Sequence, residues 1–166
     1  MSLFDKDDLI IEKAYQKALA ILDFSPQTEK ILEVKLIKKG FSKQIIKNVI
    51  NKLKEEGLIN DLYYAKIYAD GLVKNKALGE KKLLLKLYSK GIDKNNAIII
   101  AGEIINNNGG EEEIIYKFIK KNIQAIKRLL DANKIEYIKQ KLVNNGFSIQ
   151  NVIKKVKELP DIIKKL

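Results

Sequence analysis

KLIKKGF, Lys35–Phe41, returns as KLYSKGI, Lys86–Ile92, and again as KLVNNGF, Lys141–Phe147. The copies start 51 and 55 residues apart, and each brings a helical pattern to a stop at a glycine: Gly40, Gly91 and Gly146. Glycine is the usual residue just past a helix C-terminus because it accepts left-handed backbone. Two residues on stands a helix N-cap, Ser42, Asp93 or Ser148. Its side-chain oxygen is placed to accept from the first free N–H groups of the next helix. The residue before each cap is apolar (Phe41, Ile92, Phe147), and five residues later comes another (Ile46, Ala97, Val152). That is the spacing of a hydrophobic staple, which sets the angle at which the chain enters a helix. Each copy therefore spells helix, sharp turn, stapled helix.

The likeness runs on beyond each turn. Val49, Ile50 and Leu53 match Ile100, Ala101 and Ile104, and then Lys155, Val156 and Leu159, with Lys155 the one mismatch. A further helix precedes each pair, over about 9–23, 61–74 and 111–131. Helical spacing is clear in Ala14, Ala18, Ile21 and Leu22, and again in Ile115, Ile119, Ile126, Leu129 and Leu130. Proline occurs only at Pro26 and Pro160, so long helices are permitted, and strand alternation is weak. Units that cannot bury their faces alone stack on their neighbours. The expected fold is all-α: three tandem three-helix, helix-turn-helix-like repeats, residues 1–57, 58–110 and 111–166, in an elongated curved array. The competing arrangement, one compact bundle, leaves the threefold agreement of glycine, cap and staple unexplained. NNAIIIAGEII, Asn95–Ile105, is apolar almost all round and reads as a buried helix between units.

Composition narrows the function. The chain has 166 residues and no Cys, His or Trp. A disulfide framework, a cysteine-ligated zinc site and a Cys nucleophile are excluded, and the commonest general base and metal ligand is missing. LGEKK lacks the ending of a phosphate-binding loop. Glu111, Glu112 and Glu113 cluster at a helix start, where they favour the helix dipole. No catalytic residue, metal site or cofactor is expected. No apolar run approaches the roughly 18 residues of a membrane span, and MSLFDKDDLI carries no signal-peptide pattern. The expectation is a soluble, cytoplasmic protein.

Net charge is +11, carried by lysines apart from Arg128, and the repeats hold +2, +3 and +6 in chain order. Such a balance suits an anionic partner such as nucleic acid. An AT-rich genome, which favours Lys, Ile and Asn codons, accounts for part of the same composition. Placement points to two clusters. Lys117, Lys120, Lys121, Lys127 and Arg128 form one stripe of the helix expected over 111–131, opposite its apolar residues; the stripe reads as a binding face or an ordinary solvated one. Lys74, Lys76, Lys81 and Lys82 gather around the turn of the central repeat, near Tyr63, Tyr64 and Tyr68. Tyrosine beside lysine can stack on bases. Tyr64 and Tyr68, beside Ala65, read as core, leaving Tyr63 as the surface candidate.

In these same residues the chain resembles the RecX family, regulators of the RecA recombinase, over about residues 10–160. SPQTEKILEVKLIKKG is similar to the family's first-unit pattern at Pro26, Thr28, Glu29, Leu36 and Gly40. GLINDLYYA matches its inter-unit junction at Gly57, Leu58, Ile59, Asp61, Tyr64 and Ala65, with Asn60, itself an N-cap residue, replacing the first Asp. LGEKKLLLKLYSKGI and LVNNGF follow its second and third units through Gly79, Leu87, Lys90, Gly91, Ile92, Leu142, Gly146 and Phe147. The family's usual arginines are mostly Lys here, or Asn at Asn144 and Asn145; neither makes arginine's bidentate contacts. The resemblance implies a binding protein, not an enzyme. Its partners would be the RecA filament and single-stranded DNA, with double-stranded DNA a second possibility. It would lie as a monomer along the filament groove and suppress ATP hydrolysis, filament growth and strand exchange in homologous recombination, DNA repair and the SOS response. Two alternatives stand beside it: a stand-alone helix-turn-helix DNA-binding protein, for which Lys43, Lys47 and Lys54 are further candidates, and a helical scaffold for another protein.

Overall fold

A computed structural model describes residues 3–128 and 131–165, and among them there is no β-strand. The helices are α1 (Leu3–Phe24), α2 (Glu29–Lys38), α3 (Lys43–Glu55), α4 (Asp61–Lys76), α5 (Glu80–Ser89), α6 (Lys94–Asn107), α7 (Gly110–Lys121), α8 (Ile123–Lys127), α9 (Asp131–Asn144), α10 (Ile149–Lys157) and α11 (Leu159–Lys165). The all-α expectation is borne out. The chain forms two compact units: one runs to Ala65 and includes Lys90–Ile92, and the other comprises Lys66–Ser89 and the chain from Asp93 onward. Helix α4 contributes to both.

In the first unit α1 packs on α2 and α3. Ala14 and Ala18 are fully buried, and their small side chains let α3 approach. Leu32 and Leu36 from α2, with Ile46, Val49, Ile50 and Leu53 from α3, complete the core. Each such aliphatic side chain, fully buried, contributes about 1.5–3 kcal/mol. At the end of α2, Gly40 N–H donates to the Ile37 carbonyl at 2.9 Å and Phe41 N–H to that of Leu36 at 3.3 Å. This pairing needs the left-handed Gly40, φ +87°. Phe41 then packs on the core, and Ser42 Oγ accepts from Ile45 N–H at 3.4 Å to start α3. Thr28, the one buried polar residue among those described, has 0% exposure. Its hydroxyl donates to the Lys90 carbonyl at 2.6 Å and accepts from Ile31 N–H at 3.3 Å, capping α2 while holding the 90–92 turn.

The helix–glycine–helix device occurs twice more, from α5 to α6 at Gly91 (φ +91°), a turn counted with the first unit, and from α9 to α10 at Gly146 (φ +87°) inside the second unit. Asp93 Oδ1 accepts from Asn96 N–H at 3.0 Å, and Ser148 Oγ from Asn151 N–H at 3.4 Å. The core of the second unit includes Leu83, Leu87, Ala97, Ala101, Ile115, Ile119, Ile138, Leu142 and Phe147. The α9–α10 turn is pressed against the N-terminus of α5. Gly79 N–H donates to the Asn145 carbonyl at 2.9 Å and Lys81 N–H to that of Gly146 at 3.1 Å. A Cβ on Gly146 would sit 2.4 Å from Lys82 N, and one on Gly79 would sit 2.5 Å from Phe147 N.

Three expectations need correction. The helix over 111–131 is broken: α7 ends at Lys121, the chain turns at Asn122, and α8 follows. Asn122 Nδ2 donates to the Phe118 carbonyl at 2.7 Å, sharing that acceptor with its own N–H at 3.2 Å, so the side chain caps the end of α7. Leu129 and Leu130 lie outside the described residues. Helix α6 is not buried all round: Ala97, Ile100, Ala101, Ile104 and Ile105 are buried, but Ile98 and Ile99 are exposed, Ile99 at 63%. Its partners α5 and α7 do not cover every side of a helix. Tyr64 and Tyr68 are half-buried, whereas Ala65 and Ala69 beside them are fully buried.

Candidate nucleic-acid interface

The C-terminal turn of α4 and the face of α7 enclose a groove of about 430 Å³ within the second unit. Val73, Lys74, Asn75, Lys76 and Ala77 form one wall, Ile114, Lys117, Phe118, Lys121 and Asn122 the other, and Asn108 comes from the end of α6. Four lysines from the two sequence clusters thus share one concavity. They differ in availability. Lys74 Nζ lies 2.7 Å from Asp70 Oδ2, and Lys117 Nζ 3.7 Å from Glu113 Oε1. Lys76 and Lys121 make no ion pair among the described residues, and both are exposed. Beside the groove, the Lys74 ammonium and then the Asn108 amide, which donates to Asp70 Oδ1 at 3.2 Å, hold the Asp70 carboxyl below the usual carboxylate range.

The rim is held in an unusual conformation. Ala77 has φ +47°, the only non-glycine residue described with positive φ. A side chain there costs about 1–2 kcal/mol. The neighbours that hold it are on the α9–α10 turn: Asn145 Nδ2 donates to the Ala77 carbonyl at 3.2 Å and to that of Lys76 at 3.4 Å. Asn145, one of the two asparagines in KLVNNGF, therefore positions the rim through backbone contacts that an arginine's charge does not require.

The other sequence candidates are dispersed. Lys81 is exposed. Lys82 is occupied, its Nζ donating to the Asn144 carbonyl at 2.8 Å, where a cation suits the C-terminal end of α9. Lys120 is exposed on α7 outside the groove lining, and Lys127 and Arg128, also exposed, fall after the break at Asn122. The single stripe of five cations is therefore divided. Tyr63 is 66% exposed in the first unit, its N–H donating to Asn60 Oδ1 at 2.9 Å, so Asn60 caps α4. Lys54 pairs with Glu29 at 2.9 Å. Lys43 and Lys47 line a concavity with Glu29 and Glu33, which offset their charge.

Sequence reasoning missed three residues. Phe118, half-buried, brings an aromatic ring to the lysine groove; its place on the same helix as Lys117 and Lys121 was the available signal. Asn145 gave none beyond its departure from the family arginine. Glu111 does more than face a helix dipole. Its Oε2 accepts from Ser148 N–H at 3.1 Å and Asn151 Nδ2 at 2.8 Å, and its Oε1 from Glu80 N–H at 3.2 Å, joining the N-termini of α5, α7 and α10. Burial pushes its carboxyl up, but these donors together outweigh burial and leave it below the usual range.

Among the described residues no group of acidic side chains is arranged to hold a metal ion, and no helix is long and apolar enough to cross a membrane. The fold and the groove define an all-α protein with glycine-turned, side-chain-capped helix pairs and a concavity lined by four lysines and one phenylalanine. Residues 14–53 match the model of the RecX first three-helix domain. The chain is 33% identical over 151 residues to the regulatory protein RecX of Clostridioides difficile, covering 90% of this chain and 69% of that one. It is 38% identical over 82 residues to that of Finegoldia magna, covering 49% of this chain but only 40% of the relative's length. The crystal structure of RecX from Lactobacillus salivarius superposes with a TM-score of 0.74 at 31% identity, covering 90% of this chain and 96% of that one. The chain belongs to the RecX family.

Proposed function

We propose that this chain is a non-catalytic regulator that binds the RecA filament on single-stranded DNA and inhibits its ATP hydrolysis, growth and strand exchange, in recombination and repair. Membership of the RecX family supports the choice of partner. The observation that carries the reading is the convergence of Lys74, Lys76, Lys117 and Lys121 on one groove, because a filament on DNA presents closely spaced phosphates and clustered ammonium groups meet them at low desolvation cost. Reading the chain as three repeats, 1–57, 58–110 and 111–166, fits the same role, since each glycine turn supplies one more helix pair along an extended partner. The stand-alone DNA-reading alternative is disfavoured by α6, which exposes Ile98 and Ile99 where a recognition helix needs polar side chains.

The test is RecA ATPase on single-stranded DNA, titrated with this protein well below the RecA concentration. Inhibition at such ratios is expected. Unchanged turnover even at protein excess refutes the reading.

A further inference from the structure

Two of the four groove lysines already have carboxylate partners; the other two do not. Lys76 ends α4 on one wall and Lys121 ends α7 on the other, both exposed and outside any ion pair among the described residues. Phe118 and the apolar Val73 and Ile114 line the same groove. A concavity of about 430 Å³ falls within the range of small-ligand sites and has the two parts that single-strand sites combine, cations for the backbone and a ring for a base. A duplex keeps its bases stacked inside, and a base enters such a pocket only once it has left the stack.

We propose that this groove takes one unstacked nucleotide of a single-stranded nucleic acid, its base against Phe118 and its flanking phosphates on Lys76 and Lys121. Two features prepare the site. The left-handed Ala77, held by Asn145 at 3.2 Å, sets the rim before any ligand arrives. The Asn122 amide caps the Phe118 carbonyl at 2.7 Å at the end of α7, where Lys121 is the last helical residue. Both partners of the base and phosphates are thus on fixed backbone, which lowers the ordering cost of binding. The inference deepens the filament reading by naming a direct contact with the strand, but its ligand is tested with RecA absent.

The experiment is fluorescence anisotropy of a labelled oligothymidylate of about 20 nucleotides, long enough to exceed the roughly 4–16 nucleotides of common single-strand sites. It is run over a salt series against the wild type, K76Q/K121Q, F118L and a charge-matched control at two exposed lysines, K13Q/K94Q, with a duplex of equal length in parallel. Phosphate contacts on a single strand each add about 0.7 to the slope of log K against log salt. The double variant should lower that slope by about 1.4, while F118L weakens binding roughly tenfold with the slope unchanged. The control and the duplex should show neither response. Circular dichroism of every variant should match the wild type. Equal losses in K13Q/K94Q and K76Q/K121Q overturn the site, as does duplex binding that depends on Phe118. Failure to bind the strand at low salt, with RecA ATPase still inhibited, overturns this inference and leaves the filament reading standing. Strand binding with no effect on RecA does the reverse.

Discussion

Gly146 and Gly40 share a backbone conformation, φ +87° at each, but not a neighbourhood. A Cβ on Gly40 meets nothing within 4 Å, whereas one on Gly146 would lie 2.4 Å from Lys82 N and 2.6 Å from Lys82 Cβ. Replacing either with alanine forces an L side chain into left-handed backbone, at about 1–2 kcal/mol. For Gly40→Ala that is the whole cost. For Gly146→Ala the turn must also retreat from α5, because a backbone nitrogen cannot move aside as a side-chain tip does. Retreat breaks the bonds from Gly79 N–H to the Asn145 carbonyl and from Lys81 N–H to the Gly146 carbonyl, each worth about 0.5–1.5 kcal/mol. The expected loss is about 2–5 kcal/mol for Gly146→Ala against about 1–2 for Gly40→Ala. Urea unfolding followed by far-ultraviolet circular dichroism reads both, with the midpoint of each variant compared to wild type. Equal shifts for the two alanines would refute the reasoning, since they would mean that the turn yields and that Gly146 is there only for its φ.

Two further outcomes follow from the hydrogen bonds. Thr28→Val should cost about 2–4 kcal/mol, by removing a helix cap and leaving the Lys90 carbonyl without its donor, while Thr28→Ser stays within about 1 kcal/mol of wild type because the hydroxyl is kept; urea midpoints decide, and a valine no more damaging than the serine would show that the hydroxyl's two hydrogen bonds do not carry the stability. Glu111 has a depressed carboxyl pKa in the folded state, so its contribution is present above the unfolded pKa of about 4.3 and is lost as pH falls through the lower folded value. Below that window wild type and Glu111→Gln should converge in stability, with wild type the more stable at neutral pH, measured by urea unfolding from pH 7 to 3; a gap that does not change with pH would show that the carboxylate's charge plays no part.

Local chemistry was legible from the sequence, and more distant arrangements were not. Gly40, Gly91 and Gly146, with Ser42, Asp93 and Ser148 two residues later, act through backbone and side-chain atoms within one or two turns, so spacing alone carries their meaning. The same holds for Asn60 at the start of α4. Local reasoning failed where two local tendencies competed. Apolar spacing over 111–131 favours one helix, yet the chain turns at Asn122, whose amide caps the Phe118 carbonyl, and that turn divides the predicted lysine stripe. Charge clusters were visible as clusters, but not as partners.

The sequence by itself determined an all-α chain, the positions of its turns and caps, and the family to which it belongs. Only the tertiary structure decided which lysines are free and where they meet. Lys76 and Lys121 come to one groove because the end of α4 and the face of α7 line the same concavity, Lys82 is drawn to the end of α9, and Asn145 reaches back to hold Ala77. A helix cap is encoded by neighbours in the chain, whereas a groove is made by residues far apart in sequence, and their juxtaposition exists only after the core between them has been buried.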